Sequence, residues 1–304
     1  MTYCCPDLDF DIECREHPEL IVLVGLPGVG KSTYARNYIH DNPTCVWMSS
    51  DAIRERLYGD ANCQDNPGKV FEIMREETVE ALNNGFDVIY DATSVTRKSR
   101  YSILSATPRH VRKRCVIVWA PLDVTFSRDA LRDRSVGPEV IERMLKRFEA
   151  PFYDEGFDDI SVHISDVYYN KALYYKNLVN AMDIPHDNPH HSLNVLEHCK
   201  RCCTSLYDVA PPMVINAGFL HDIGKPYTKT FTNTKGEVTE TAHYYGHQAV
   251  GAWLSYGIEG HSPTLAWLIS THMAPFINQK YYNSLPNCYK KWIDVLHKAD
   301  KEAH

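Results

Sequence analysis

The chain has 304 residues, of which 44% are hydrophobic and 23% are charged, and its formal net charge is −7. This length and composition are typical of a globular protein with two domains, and the acidic balance argues against a broad surface that coats nucleic acid. No apolar run approaches the roughly 20 residues that a membrane helix needs, and the acidic N-terminus lacks a secretory pattern. A cytoplasmic protein without a membrane segment is therefore expected.

Histidine and charge are distributed unevenly along the chain. Of the 15 histidines, 12 follow residue 160, while residues 86–147 hold 13 basic and 7 acidic residues. The change in composition predicts a domain boundary between residues 160 and 188, with metal or acid–base chemistry after it.

The ten cysteines include no paired CxxC modules, so reduced thiols are expected. The lone CxxC, Cys199 with Cys202, favours a helix core, with a structural zinc or redox site as the alternative.

In the first half, short apolar runs alternate with segments of helical length. The runs are LIVLVG at 20–25, CVWMS at 45–49, DVIYD at 87–91 and VRKRCVIVWAP at 111–121. This alternation predicts an α/β fold, in which helices cover both faces of a mostly parallel sheet.

After a last strand pattern at 158–164, the strand signal fades. The pattern of residues 161–189 indicates a linker with one helix. From residue 190 onward the pattern is helical, apart from a predicted hairpin at 228–244. We therefore predict a tail at 1–18, an α/β domain at 19–160, the linker, and an all-α domain at 190–304.

The stretch GLPGVGKST follows the first predicted strand and precedes a helix. It fits the phosphate-binding motif GxxxxGK[ST] in the structural context that this motif requires. Its glycines let backbone N–H groups face phosphate oxygens, its lysine reaches the β- and γ-phosphates, and its serine holds Mg2+. ATP, or another nucleoside triphosphate, with Mg2+ is the expected cofactor. The residues predicted to bind it are Gly25, Gly28, Gly30, Lys31, Ser32 and Thr33.

Two polar side chains follow the second strand in SSDAIRERL. A carboxylate at Asp51 can take a proton from an acceptor hydroxyl, and Arg54, one helical turn later, can bind a phosphate of the acceptor. The alternative for Asp51 is a helix N-cap, which is a common role of aspartate.

Further polar residues follow the third and fourth strands. Asp91 and Thr93 emerge at the carboxyl edge of the sheet, where open α/β sheets bind ligands, and Asp91 is predicted to assist Mg2+ binding. Arg128, Arg132 and Arg134 lie within seven residues of one another. Arginines four apart share a helix face that suits transferring phosphates, and a solvated basic face is the alternative.

Residues 19–155 resemble the kinase domain of bacteriophage-type 5′-hydroxyl polynucleotide kinases. The resemblance rests on four motifs in this order: GLPGVGKST, SSDAIR, DAT and RDALRDRSVGP. The resemblance implies that Asp51 is the general base toward a 5′-hydroxyl and that Arg54 contacts the 3′ phosphate of the acceptor. It also implies that Arg128 and Arg132 contact ATP phosphates. The third strand ends in DAT, where that family has a DTN-like sequence.

Histidines and aspartates recur at helix ends and faces in the second half. They are His198, His221 with Asp222, His247, His272 and Asp300. Imidazole and carboxylate are suitable ligands for Zn2+, Mn2+, Fe2+, Co2+ or Ni2+. One such residue alone would more often be structural, but six in one domain predict a metal site.

The order H, HD, H, H, D resembles the HD phosphohydrolase superfamily over about residues 190–304. The phrases LHDIGKP, YYGHQAVGA and STHM are similar to the HD domain of bacterial CCA-adding enzymes. The resemblance implies an all-helical fold that binds one or two divalent metals. The ligands implied for the first metal are His198, His221, Asp222 and Asp300. Those implied for the second are His247 and His272, with Asp222 as the bridge.

The same resemblance implies roles for residues around the metal ligands. Asp222 would be essential to hydrolysis, and Lys225, three residues on, would stabilise the phosphate. His190 and His191 precede the first ligand, and they either touch the substrate or begin a helix.

Together, the two resemblances imply a bifunctional enzyme of RNA end repair. One domain would phosphorylate 5′-hydroxyl ends of RNA or DNA, the other would open or remove 2′,3′-cyclic, 2′ or 3′ phosphates, and a separate ligase would join the products. Bacterial end-healing enzymes combine these domains, usually in the other order. Two alternatives are a nucleoside or nucleotide kinase fused to an HD nucleotidase, and a sensor whose HD half binds metal and ligand without turnover.

Overall fold

The structure is a computed structural model that describes residues 17–63, 65–189, 192–258 and 262–303. Most of the predicted tail lies outside the described residues, and so do His190 and His191, for which contact with the substrate or a helix start was predicted. In the described ranges no helix combines the length and the apolar character that crossing a membrane requires. Seven cysteines fall in those ranges and all are free thiols, as predicted.

A parallel sheet forms the centre of the first half. Its strands are β1 Glu19–Val24, β2 Val46–Ser49, β3 Val88–Asp91, β4 Arg112–Trp119 and β5 Asp159–Ile164. They pair in the order β2-β3-β1-β4-β5, with every pairing parallel. Both β1 and β3 are buried almost throughout, because helices cover both faces of the sheet. The predicted α/β fold is confirmed.

The helices of this half follow the strands. Their bounds are α1 Lys31–Asp41, α2 Ser50–Tyr58, α3 Pro67–Asn83, α4 Arg97–Leu104, α5 Leu122–Ala130 and α6 Pro138–Leu145. Side-chain N-caps begin two of them: Ser49, the last residue of β2, caps α2, and Thr96, in the loop after β3, caps α4 in a capping box with Ser99. These caps place the first turns of the helices, and their polar residues, near the carboxyl edge of the sheet.

The connection between the halves contains one more helix. Strand β5 runs to Ile164, four residues beyond the residue 160 at which we expected the α/β domain to end. Helix α7, Lys171–Ala181, lies in the segment for which a linker with one helix was predicted, and the Asn170 side chain caps it.

The second half is helical, as predicted. Its helices are α8 Val195–Ser205, α9 Pro212–Leu220, α10 His247–Ser255, α11 Pro263–Thr271, α12 Ala274–Ile277, α13 Gln279–Ser284 and α14 Asn287–Glu302. The hairpin consists of β6 Thr230–Thr232 and β7 Val238–His243, which pair antiparallel.

The two halves share a continuous hydrophobic core. Phe152 stacks on Trp267 with ring centroids 4.2 Å apart, and the Trp119 indole donates to the carbonyl of Trp253 at 2.9 Å. From α7, the Tyr174 hydroxyl donates to a backbone carbonyl of α10 at 3.2 Å. The α/β half and the helical half therefore pack against each other directly, in addition to being joined by the linker.

Two candidate active sites

The phosphate-binding loop connects β1 to α1. Gly28 and Gly30 have φ angles of 85° and 98°, in the left-handed region that glycine adopts without strain. A Cβ at Gly28 would lie 2.6 Å from the carbonyl oxygen of Thr125, so this glycine also permits close packing of the loop on α5. The loop has the kind of backbone in which successive N–H groups can turn toward a phosphate.

Lys31, the first residue of α1, folds back over this loop. Its ammonium group donates to the carbonyl oxygens of Gly25 at 3.0 Å and Leu26 at 2.9 Å. Burial lowers the pKa of Lys31 to about 8, against the opposing effect of Asp91 and with a smaller contribution from Arg132. A phosphate in the loop would favour the charged form and compete with these carbonyls for the ammonium group.

Asp91, at the end of β3, lies beside the start of α1. Its Oδ2 accepts hydrogen bonds from the Ser32 hydroxyl at 2.8 Å and from the Trp47 indole at 3.2 Å. Burial raises the pKa of Asp91, although Lys31 and both hydrogen bonds oppose that shift. Mg2+ prefers oxygen ligands, so Ser32 and Asp91 fit a magnesium position next to the loop. Thr33 is exposed in the first turn of α1.

Asp51 and Arg54 form an ion pair at the start of α2. The N-cap of this helix is Ser49, whose side chain accepts from the Ala52 N–H, so the N-cap interpretation of Asp51 is wrong. Asp51 instead accepts a hydrogen bond from Arg54 at 3.0 Å; its side chain is 49% exposed, whereas that of Arg54 is 10% exposed. An accessible carboxylate held by a guanidinium can receive a hydroxyl proton, and the guanidinium can bind an anion beside it.

The three arginines beyond β4 have different surroundings. Arg128 donates to the Ser165 hydroxyl at 2.9 Å and to its carbonyl oxygen at 3.2 Å. Arg132 is exposed and lies 3.7 Å from Asp129, and Arg134 is exposed. A solvated basic face therefore describes Arg134 but not Arg128, while the charge of Arg132 acts on Lys31 in the loop.

The predicted metal ligands come from separate segments of the helical half. His198 lies on α8, His221 and Asp222 follow α9, His247 begins α10, His272 follows α11, and Asp300 lies in the last turn of α14. Their side chains are buried or nearly so, with Asp300 the most accessible at 20%. The structure thus brings all six residues together in one buried cluster.

One group of ligand atoms faces Asp222 Oδ2. His198 Nε2 lies 2.9 Å from Asp300 Oδ1 and 3.3 Å from His221 Nε2. His221 Nε2 is in turn 3.3 Å from Asp222 Oδ2. These four residues are the set that the HD resemblance implies for a first metal.

The other group faces the second oxygen of the same carboxylate. Asp222 Oδ1 lies 3.4 Å from His247 Nε2, which is 3.3 Å from His272 Nε2. Asp222 therefore presents one oxygen to each group, as a carboxylate between two metal positions would.

Each of the four imidazole rings is oriented by a backbone carbonyl at Nδ1. The pairs are His198 with Ala303 at 3.2 Å, His221 with Gly218 at 2.9 Å, His247 with Tyr244 at 2.9 Å, and His272 with Ile269 at 2.7 Å. Because a carbonyl only accepts, Nδ1 carries the proton of the neutral ring and the Nε2 lone pair faces the cluster. Burial and the neighbouring histidines lower the pKa of His272 to about 3, which keeps that ring neutral.

The carboxylate of Asp222 also fits a metal. Its Oδ2 is buried and accepts no hydrogen bond within the described part of the chain, although the Lys225 ammonium lies 2.7 Å away. Burial acts to raise the pKa of Asp222, but Lys225 and His221 hold it well below its usual range. Burial acts to lower the pKa of His221, but Asp222, Cys199 and Asp300 together raise it well above its usual value. A divalent cation would replace that imidazole proton, so the donor set fits one or two such ions.

Lys225 is positioned by a histidine that the sequence patterns did not single out. The Lys225 ammonium lies 3.1 Å from His186 Nε2, and His186 Nδ1 lies 2.7 Å from the carbonyl oxygen of Leu193. Nδ1 carries the ring proton and donates a hydrogen bond to this carbonyl, so Nε2 accepts a hydrogen bond from Lys225. Burial and the charge of Lys225 lower the pKa of His186 to about 4, which maintains this arrangement. Lys225 is thus held between His186 and Asp222.

A cavity of about 320 Å³ lies beside the cluster. Its lining includes Lys225, His247, Tyr244, Tyr245 and Met273. This volume is at the small end of ligand sites, and its walls combine a cation, the predicted metal ligand His247 and apolar surface. The cavity can take a small ligand with an anionic group directed to the cluster.

The CxxC cysteines are core residues. Cys199 and Cys202 are fully buried on α8, with Cys199 Sγ within 4.8 Å of the ligand atoms of His221 and Asp222. Burial raises the pKa of Cys199 to about 12 and that of Cys202 to about 11. Both are therefore thiols at neutral pH, in agreement with the helix-core interpretation.

Residues 20–151 match the family model of the AAA domain, and residues 190–299 match that of the HD domain. The phosphate-binding loop lies inside the first segment, and the predicted metal ligands lie inside the second except for Asp300, one residue beyond it. The α/β half therefore matches one family model and the helical half matches another, over the segments for which the sequence resemblances implied a P-loop domain and an HD domain.

Two curated proteins, one from an archaeon and one from a virus, are similar to this chain. It is 28% identical over 176 residues to the L-seryl-tRNA(Sec) kinase of Methanococcus maripaludis, with 51% of this chain and 63% of that protein covered. It is 27% identical over 164 residues to the "Putative bifunctional polynucleotide phosphatase/kinase" of Acanthamoeba polyphaga mimivirus, with 51% of this chain and 35% of that protein covered. The chain spans less than two thirds of the length of either relative.

Among solved structures, the Pnkp1/Rnl/Hen1 RNA repair complex contains a similar chain. The identity is 23%, the match covers 45% of each chain, and the TM-score is 0.39.

Proposed function

We propose that the chain is a bifunctional RNA end-healing enzyme. Its P-loop domain phosphorylates 5′-hydroxyl ends, and its HD domain opens or removes 2′,3′-cyclic, 2′ or 3′ phosphates at the other end. The names of both curated relatives are consistent with this proposal: one is a kinase that acts on an aminoacylated tRNA, and the other pairs a polynucleotide phosphatase with a kinase. A separate ligase would join the healed ends.

The observation that carries the kinase part is the Asp51–Arg54 pair near the phosphate-binding loop. A nucleotide at the 5′ end of a polynucleotide offers a hydroxyl on one side of its sugar and a phosphate on the other. Asp51 can take the hydroxyl proton while Arg54 binds the phosphate. A free nucleoside lacks the second group, so this pair favours a phosphate-bearing acceptor over a nucleoside.

The proposed transfer uses the remaining residues of the same site. The 5′-oxygen bonds to the γ-phosphorus of ATP as Asp51 takes its proton, and ADP leaves. Lys31 and Arg132 bind the transferring phosphate, joined by Arg128 once a phosphate competes with Ser165 for its guanidinium group. Mg2+, bound through Ser32 and Asp91, would neutralise charge on the β- and γ-phosphates.

The proposed hydrolysis uses the metal cluster and Lys225. Divalent cations held there would polarise the phosphate and lower the pKa of water toward neutrality. The residues of the chain orient the reactants: Asp222 lies between the two groups of imidazoles, and Lys225 donates to a phosphate oxygen from the cavity wall. One water opens a cyclic diester to a 2′ or 3′ monoester, and a second releases inorganic phosphate.

The kinase proposal is tested with γ-labelled ATP, Mg2+ and three acceptors: a 5′-hydroxyl oligonucleotide, a nucleoside 3′-phosphate and a free nucleoside. Label is expected on the first two. Arg54→Ala should lower that transfer, whereas Arg56→Ala, two residues on and mostly exposed, should not. Label on free nucleosides alone would contradict the proposal and favour the nucleoside kinase alternative.

The hydrolase proposal is tested with an oligonucleotide that ends in a 2′,3′-cyclic phosphate, supplied with Mn2+, Co2+, Ni2+, Zn2+ or Fe2+ in turn. Opening or loss of the phosphate with at least one metal is expected. If the end stays intact with every metal while the protein still binds the oligonucleotide, the sensor alternative is the better description.

A further inference from the structure

A second cavity lies between the two domains, next to the HD site. Its volume is about 140 Å³, and residues of both halves line it: Arg97, Lys146 and Phe148 from the α/β half, and Gln248, Trp267 and Tyr281 from the helical half. Gln248 and Ile277 line this cavity and also the 320 Å³ cavity beside the metal cluster. The two cavities are therefore adjacent along one path that leads away from the cluster.

The basic residues of this second cavity differ in availability. Arg97 donates to both oxygens of Asp154, at 3.0 and 2.9 Å, and lies over the Tyr281 ring at 4.4 Å, so its charge is balanced within the protein. Lys146 is exposed, and it forms no ion pair with any residue that the structure describes. Among the described residues that line this cavity, which also include Glu149, Lys146 is thus the cation that can bind an external anion.

The backbone of Lys146 packs closely on the HD domain. Gly246, directly before the metal ligand His247, has φ 78°, and a Cβ there would lie 3.0 Å from the Lys146 carbonyl oxygen. Glycine at this position lets the end of α6 approach the start of α10. A kinase-domain lysine is thereby held next to the helix that begins with a metal ligand.

We propose that Lys146 binds the internucleotide phosphate next to the 3′-terminal nucleotide, so that the kinase domain completes the substrate site of the HD domain. The inference rests on the proposed hydrolase function and specifies its substrate: a single-stranded polynucleotide end. The terminal nucleotide occupies the cavity beside the cluster, and the chain leaves past Gln248 toward Lys146. A mononucleotide fills the first cavity only and does not reach the lysine.

The test compares a 5′-phosphorylated trinucleotide and a mononucleoside, both with 2′,3′-cyclic phosphates, in the full-length protein. Lys146→Ala should raise KM for the trinucleotide about threefold to tenfold, with kcat within twofold and with mononucleotide KM within twofold. The slope of log KM against log salt concentration for the trinucleotide should decrease by about 0.7. This is the contribution of one neutralised phosphate on a single strand. Lys146→Arg should restore both values.

Arg147→Ala is the matched control, because Arg147 is the next residue, is exposed and lines neither cavity. It should leave both substrates unchanged. Equal effects of Lys146→Ala on trinucleotide and mononucleotide, or no effect on either, would overturn the inference.

Failure of the proposed hydrolase function is a separate result. If wild-type protein hydrolyses neither substrate, a 3′-phosphorylated trinucleotide stays intact, and its equilibrium binding can be measured by fluorescence anisotropy. Weaker binding with a shallower salt slope in Lys146→Ala alone would then support the phosphate contact. Identical binding by wild type, Lys146→Ala and Arg147→Ala would overturn it.

Discussion

The two sites differ in how far their polar groups are already arranged for a ligand. In the α/β half, the charged groups are bonded to the protein itself: Lys31 to carbonyls of the phosphate-binding loop and Arg128 to Ser165. In the helical half, backbone carbonyls orient each imidazole, and the Nε2 atoms face one centre around Asp222. Nucleotide binding therefore exchanges existing contacts, whereas metal binding uses a geometry that is already present.

The largest effect is expected from removal of the shared carboxylate. Asp222→Ala should lower hydrolysis of 3′-terminal phosphates by more than about 100-fold and reduce bound metal, because both groups of imidazoles lose their common partner. Kinase activity should stay within twofold. Hydrolysis rates and elemental analysis of the purified protein measure this. Asp208→Ala, at an exposed aspartate of the same domain, is the control; an unchanged metal content in Asp222→Ala would contradict the assignment.

At the phosphate-binding loop, we expect a substitution to lower kinase activity and leave hydrolysis unchanged. Lys31→Ala should lower kinase turnover by about 100-fold, the scale for loss of one positioned donor to a developing charge. Hydrolysis should be unaffected, because Lys31 lies in the other domain. Labelled-phosphate transfer measures the change, and Arg36→Ala, an exposed residue of α1, is the control. A parallel loss of both activities would mean that the sites are not independent.

A smaller effect is expected from His186, which tests whether the HD site depends on its supporting contacts. His186→Phe removes the acceptor that holds Lys225 and should lower hydrolysis by about tenfold, with metal content retained. His186→Gln keeps an acceptor and should retain most activity. Equal activity of the two variants would show that the contact does not position Lys225.

The smallest effect concerns pH and the kinase site. Burial lowers the pKa of Lys31 to about 8, so in the nucleotide-free protein Lys31 loses its charge as pH rises above that value. Since the charged form binds phosphate, the Kd for ATP should be nearly constant below about pH 7, about twofold higher near pH 8, and should rise by up to about tenfold per pH unit above that. Equilibrium binding from pH 7 to 9 measures this. Lys31→Arg keeps its charge throughout, and the same pH dependence in that variant would assign the effect to another group.

The sequence predicted those features whose signals are local in the chain. Apolar runs marked the strands within a few residues, because strands covered on both faces must be apolar throughout. The phosphate-binding loop was recognisable because glycines, lysine and serine act there within one short stretch. By contrast, the candidate metal ligands are spread over residues 198–300, and they were predicted from the order of their residue types, which resembles the HD superfamily.

Other parts of the sites depend on contacts between distant segments. His186 reaches Lys225 only because the chain before α8 packs on the turn after α9, and Trp47 reaches Asp91 only through the pairing of β2 with β3. The approach of Lys146 to Gly246 depends on the packing of the two domains. Neither periodicity nor motif spacing carries information about such contacts. The sequence analysis therefore did not single out His186, Trp47 or Lys146.

The two proposed activities can be followed together on one substrate. A single RNA with a 5′-hydroxyl and a 2′,3′-cyclic phosphate is incubated with the protein, ATP, Mg2+ and Mn2+, and both ends are followed by mass spectrometry. We expect the 5′ end to gain one phosphate and the 3′ end to gain water or lose its phosphate. An RNA left unchanged at both ends, under conditions in which free nucleosides or mononucleotides are converted, would contradict it.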